Sequence, residues 1–313
     1  MLTFVIRRLW SGVVLLFAIS FIAYALLYLS SGDIGRSLLG RNATVEQVLA
    51  KNTELGLDRP LLVRYVEWLR HAVTGDFGGS WFTNETVTHA LTTRLPVTLS
   101  LVVGVTVVSA LVSFGLGMAA GVRRGRLDTF VQFLAITGNA VPGFLVALLL
   151  VLVFAVQLHW FPATGYVAPS TSPAAWVATV TLPIIALSIG AIAGTAQQVR
   201  SSVIAVLDQD YVRTMRSHGV PERTVLLKHV LRNASVPGLT VLALQFVGLL
   251  GGAVIVEQIF ALPGVGALAV SATGRGDIPV VMGVVVATVA IVVVVNLLVD
   301  LAVGWLNPKA RLS

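Results

Sequence analysis

The stretch Arg200-SSVIAVLDQDYVRTMRSHGVPERTVLLKHVLRNASVP-Gly238 is a basic segment set between two apolar runs, 176–198 and 237–257. About 20 mostly apolar residues cross the roughly 30 Å of bilayer hydrocarbon, so the segment reads as a loop joining two membrane spans. Its punctuation is specific. Asp208 and Asp210 suit a helix start, where a carboxylate accepts from free backbone N–H groups and complements the helix dipole. Tyr211 to His218 then carries Arg213, Arg216 and His218 toward the end that tolerates positive charge, and Gly219 is placed to close the helix in a left-handed cap. Pro221 and Glu222 open a second helix, in which Val225, Leu226 and Val230 lie among Arg223, Lys228 and Arg232. Pro237 marks the start of the next span. The expected product is a short docking helix, 210–218, turned sharply into a transmitting helix, 222–234.

Outward from this loop, the chain is apolar. Hydrophobic residues make up 56% of its 313 residues and charged residues 11%, with a mean hydropathy of +0.91. A soluble domain carries about a quarter charged residues, so the fold class is all-α and polytopic in the membrane. Six transmembrane helices are expected, at 9–29, 97–121, 129–158, 176–198, 237–257 and 279–306. The first apolar run exceeds the ~7–15 residues of a signal-peptide core and no clear cleavage site follows it, which points to a retained helix. Basic residues collect in cytoplasmic loops. Arg7, Arg8, Arg123, Arg124, Arg126, the six Arg and Lys of the 199–236 loop, Lys309 and Arg311 therefore place both termini inside, because the short opposite loops, 159–175 and 258–278, hold only Arg275. The net charge of +7 is thus a topology signal; no stretch combines basic and aromatic residues as a nucleic-acid site would.

The segment 31–95 is the sizeable extracytoplasmic piece. Val45–Leu55 and Pro60–Val73 read as amphipathic helices, the second with Leu61, Tyr65, Trp68 and Leu69 on one face, and Gly75-Asp-Phe-Gly-Gly79 as a turn. A cap resting on the bundle and a docking surface for an external partner are both open readings. Small residues at four-residue spacing, Ser113/Gly117/Gly121 and Gly248/Gly252, are helix-packing ladders.

Catalytic chemistry is sparse. Of the three Lys, 51, 228 and 309, none follows Gly, so a Walker A loop is impossible. Cys is absent, the five His form no HExxH pair, and no GxSxG elbow occurs. The chain is expected not to be an enzyme and to hold no metal or other cofactor. Within the spans the polar groups at depth are Asn139, Gln197, Gln245 and Asn296, with Glu257 and Asp300 nearer helix ends. Hydrogen bonds to neighbouring helices are their simplest role; Asn139, Gln245 and Glu257 are the candidates for a translocation path.

The run Asp210-Tyr-Val-Arg-Thr-Met-Arg-Ser-His-Gly219, continuing through His229-Val-Leu-Arg-Asn-Ala234 to Pro237, resembles the EAA loop of ATP-binding-cassette importer permeases, most closely the oligopeptide/dipeptide permease family, first-subunit type. Gly219 matches the motif glycine, and Arg213, Thr214 and Met215 occupy the Glu-Ala-Ala places. Met215 departs from the usual Ala. Leu231-Arg232 stands where the general motif has Leu-Pro, a departure typical of the peptide branch. Leu55-Gly-Leu-Asp-Arg-Pro60, Gly75-Asp-Phe-Gly78, Arg94-Leu-Pro-Val-Thr98, Glu257-Gln-Ile-Phe260, Pro263-Gly-Val-Gly266 and Asn296-Leu-Leu-Val-Asp300 are further landmarks, so the likeness runs nearly end to end.

The resemblance implies a type I importer permease fold in a bacterial cytoplasmic membrane, with a core domain 96–313 after a first span, 1–30, and the external segment. It implies a sister permease, two cytoplasmic ATPases that bind ATP and Mg, and an external peptide-binding protein. Asp210, Tyr211, Arg213, Thr214, Met215, Arg216, His218 and Gly219 would form the ATPase-coupling site. A secondary carrier, with the loop as a plain connector, and a membrane scaffold, with the loop as a lipid anchor, also fit the composition. Both require the ordered landmarks to be coincidence.

Overall fold

The computed structural model describes residues 2–30, 34–40 and 42–306, so Lys309 and Arg311 lie outside the described residues. The described chain is helical: α1 (Leu2–Ser30), α2 (Ile34–Leu39), α3 (Val45–Glu54), α4 (Leu61–Val73), α5 (Val87–Arg123), α6 (Arg126–Ala140), α7 (Gly143–Leu150), α8 (Pro173–Leu207), α9 (Asp210–Ser217), α10 (Glu222–Thr224), α11 (Leu231–Ile259), α12 (Val265–Arg275) and α13 (Ile278–Leu306). Two π-helical turns, Val151–Gln157 and Val225–Val230, extend α7 and join α10 to α11. Among the described residues five helices are long and apolar enough to cross a membrane, and the bent pair of α6 and α7 makes a sixth if it is counted as one broken span.

That sixth span corrects an expectation. Residues 129–158 read as one continuous helix, but the chain bends by 95° between α6 and α7. Proline crowding pushes the preceding residue out of the α region, and Val141 is extended, at φ −88° and ψ 120°. Pro142 then becomes the N-cap of α7, its carbonyl accepting from Leu145 at 3.0 Å. Pro237, by contrast, breaks no helix: it lies inside the continuous α11.

The chain divides into two compact units: Val97–Leu262 with the chain from Val295 on, and Leu2–Pro96 with Pro263–Val294. In the first, α8 is the central helix. Gly117 and Gly121 of α5 lie against it so closely that a Cβ at Gly117 would stand 2.8 Å from the Ala196 carbonyl oxygen and 2.8 Å from Val199. Ser113 donates to the Ile192 carbonyl at 3.2 Å, on the same ladder. The second ladder behaves differently: no described atom stands within 4 Å of a Cβ built at Gly248 or Gly252. Among the described residues, that small-residue face of α11 is therefore open at these two positions.

In the second unit Thr44 and Gln47 form a reciprocal capping box at the start of α3. Tyr24, Ile34, Tyr65, Ile278 and Met282 make a buried cluster in which α4 packs on α1. Buried Asp277 accepts from Ser80 Oγ at 2.5 Å and from the Trp81 N–H at 3.3 Å, closing the turn before α5.

Candidate coupling site

The segment between α8 and α11 folds into a cornered pair of helices. α8 ends at Leu207 with Asp208 as its C-cap, and Gln209 is the N-cap of α9 in extended conformation, without a side-chain bond. The expected capping by Asp208 is therefore not found. Its carboxylate instead accepts from Arg124 at 3.2 Å, while Asp210 stays in the first turn of α9 and pairs with Arg213 at 3.5 Å. A carboxylate in the first turn still meets the positive end of the dipole.

The C-terminus of α9 forms as the sequence indicates. His218 is the C-cap, and Gly219 has φ +73°, the left-handed region that L side chains avoid. The Gly219 N–H bonds to the Arg216 carbonyl at 3.0 Å and the Val220 N–H to the Met215 carbonyl at 3.1 Å. These two bonds make a Schellman motif, with Val220 and Met215 packed in the same apolar cluster. Pro221 then caps α10.

Two apolar residues hold α9 down. Val212 is fully buried with Val199, Val203, Val225, Val230 and Ala234, and Met215 packs on the rim of that cluster. Full burial of a valine contributes about 1.5–3 kcal/mol, which is large for so short a helix. The Val212 anchor was missed in the sequence, although its signal is there: apolar residues three apart in an otherwise polar helix.

The opposite surface is polar and basic. Asp210, Tyr211, Arg213, Thr214, Arg216, His218 and Gly219 are exposed, and Met215 is half-buried. The Tyr211 hydroxyl accepts from Asn233 Nδ2 at 3.0 Å, tying α9 to α11. Arg216 spans the corner, donating from Nε at 3.1 Å and Nη2 at 2.5 Å to Glu222, and this carboxylate raises the Arg216 pKa above its ordinary value. Arg213 keeps a largely exposed guanidinium. Farther along, Arg232 donates to the Leu306 carbonyl at 3.0 Å, where the closing end of α13 favours a cation.

The path candidates are placed apart from this corner. Gln245 accepts from Thr195 at 3.0 Å, linking α11 to α8. Glu257 is wholly buried and accepts from Thr98 at 2.6 Å, linking α11 to α5. Asn139 falls in α6, and its side chain lies outside what the structure describes. Gln197 and Asn296 are exposed.

A short basic helix is thus joined through a glycine corner to a long apolar one. Residues 112–312 match the family of binding-protein-dependent transport system inner membrane components. The chain belongs to that family. Residues 1–102 match the N-terminal part of such membrane components. Relatives agree over full length. The chain is 38% identical over 312 residues to a putative peptide transport system permease protein of Brucella abortus, covering 99% of each chain. It is 35% identical over 309 residues to a probable peptide ABC transporter permease of Sinorhizobium fredii, covering 98% of this chain and 99% of that one. It is 34% identical to a glutathione transport system permease protein of Salmonella paratyphi A, covering 99% of each. This permease is a multi-pass membrane protein, the transport component of an ATP-binding-cassette system.

Proposed function

We propose that this permease forms half of the membrane channel of a peptide importer and takes its driving force from a separate ATPase through α9. The observation that carries the reading is the exposed face of α9, fixed from below by Val212 and from its end by the Gly219 corner. Asp210, Tyr211, Arg213, Thr214, Met215, Arg216, His218 and Gly219 seat in a groove of that ATPase. Nucleotide-driven closure of two ATPase subunits, which hold ATP and Mg, presses α9, and the rigid run from α10 into α11 carries the displacement to the spans. The lack of any Gly-Lys step supports an ATPase site on another chain.

A sister permease completes the channel, and the open small-residue face at Gly248 and Gly252 is suited to a close helix. Both termini and α9 face the cytoplasm of a bacterial inner membrane, and 31–95 faces the external binding protein. The core permease domain is 96–313. Asn139, Gln245 and Glu257 lie along the path. Peptide as cargo follows the names of the full-length relatives.

The test is ATP-driven uptake and ATPase co-purification with the full chain and a variant lacking 210–219. Loss of both supports the reading. Retention of both sinks it.

A further inference from the structure

α4 is amphipathic in an unusual sense. Its inner side buries Arg64 and Tyr65, while Leu62, Val63, Val66 and Val73 are exposed apolar side chains. The Tyr65 hydroxyl lies 2.9 Å from Ser20 Oγ and donates to the Phe17 carbonyl at 3.4 Å. Ser20 precedes the last described residue of α1 by ten positions, or about 15 Å at 1.5 Å per residue. α4 therefore packs against the middle of α1, and in the proposed topology its exposed apolar side chains are placed to meet lipid.

On the inner side of α4 sits a cavity of about 280 Å³ lined by Arg64, Trp68, Arg59, Glu67, Glu54 and Trp81, among others. Its two carboxylates balance its two guanidinium groups in number, but both carboxylates are already taken by cations other than Arg64. Arg59 is paired with Glu67 at 3.2 Å and Lys51 with Glu54 at 2.7 Å. Arg64 is 94% buried (relative exposure 6%) and forms no ion pair among the described residues. Its guanidinium carbon rests 5.8 Å from the Tyr24 ring centroid and 5.3 Å from that of Tyr28. Arg64 Nη1 and, one turn on, Trp68 Nε1 have no hydrogen-bond partner among the described residues. A buried guanidinium N–H and an indole N–H without acceptors are costly, and two aromatic faces and a bond to the Tyr24 hydroxyl offset only part of that.

We propose that this cavity binds a phosphate-class oxyanion, with Arg64 as its charged donor and Trp68 as its second donor. The same chemistry is offered by an outer-leaflet phospholipid headgroup and by free phosphate. The lipid-facing stripe of α4 favours the headgroup, its acyl chains lying along Leu62 and Val66. Basic pockets beside membrane helices recognise headgroups in this way. The inference rests on 31–95 facing outward, as in the proposed topology.

The test uses the full-length permease in nanodiscs of phosphatidylcholine with and without phosphatidylglycerol, and counts retained phosphatidylglycerol by native mass spectrometry. Wild type is expected to retain one phosphatidylglycerol per chain. Arg64→Gln loses it by at least about tenfold, the effect of one charge-assisted hydrogen bond, and Trp68→Phe, which keeps the ring, weakens it less. Tenfold displacement by millimolar inorganic phosphate, without lipid dependence, assigns the site to the free anion and still supports the oxyanion reading. Equal retention by wild type, Arg64→Gln and Trp68→Phe, each with an unchanged melting temperature in phosphatidylcholine, overturns it. The chain has no Cys, so an impermeant maleimide on Thr74→Cys reports separately which side α4 faces. An inverted topology is thereby distinguished from an empty cavity.

Discussion

Substitution at Gly219 separates backbone conformation from side-chain bulk. No atom lies within 4 Å of a Cβ built there, so an added methyl group meets open space. What remains is the conformational cost of φ +73°, about 1–2 kcal/mol for an L residue and less for Asn, whose short side chain tolerates this region. That corresponds to a roughly 5- to 30-fold fall in the ratio of formed to unformed corner. Gly219→Asn is therefore expected to couple nearly as wild type and Gly219→Ala to bind its ATPase up to about thirtyfold more weakly. Gly219→Pro is different in kind. Proline fixes φ near −65° and removes the N–H that bonds the Arg216 carbonyl at 3.0 Å, so the Schellman corner cannot form. The assay is ATPase affinity and ATP-driven uptake in proteoliposomes carrying the assembled importer. Uptake and affinity unchanged in Gly219→Pro would refute the view that the corner orients α9.

Other outcomes follow from the same geometry. Val212→Asp places a carboxylate among Val199, Val203 and Val230; it is expected to release α9 and abolish ATPase binding, while Val212→Ala costs about 1–3 kcal/mol and leaves partial coupling, both measured by co-purification. Glu222→Gln removes a partner of an exposed ion pair, worth at most about 1 kcal/mol, so uptake should fall less than fivefold and the difference should shrink in high salt. Gly117→Val drives a branched side chain against the Ala196 carbonyl and should lower the melting temperature of the permease in detergent by several degrees, because neither backbone can yield to it.

The spans and the cornered loop were legible in the sequence because each rests on local rules. Long apolar runs, lopsided basic residues and a Gly two residues before a Pro have few alternative readings. The broken third span was legible only in part. Pro142 stood in plain view, but a mostly apolar run from 129 to 158 outweighed one proline as a length signal, although the chain bends at its predecessor. The helix cap shows a different failure: Asp208 and Asp210 both suited the role by type, but Asp208 closes α8 in the αR region and Asp210 already lies in the first turn of α9, so the extended Gln209 between them is the cap. Val212 and the Arg64–Trp68 cavity were hidden for a third reason. Their meaning depends on residues from distant helices, and no spacing along one chain reports which cations lack a partner. The two ladders make the same point, since Gly117 seats on α8 and Gly248 meets nothing among the described residues.

The central claim is that α9 is the surface gripped by the ATPase. Photo-crosslinkers placed singly at Arg213, Thr214 and Arg216 of the chain in its native membrane test it directly. The account predicts one crosslinked product from each position, containing an ATP-hydrolysing subunit, and none from the same probe at Leu62 or Val73 on α4. Absence of that product from all three α9 positions, or its appearance from α4, would contradict it.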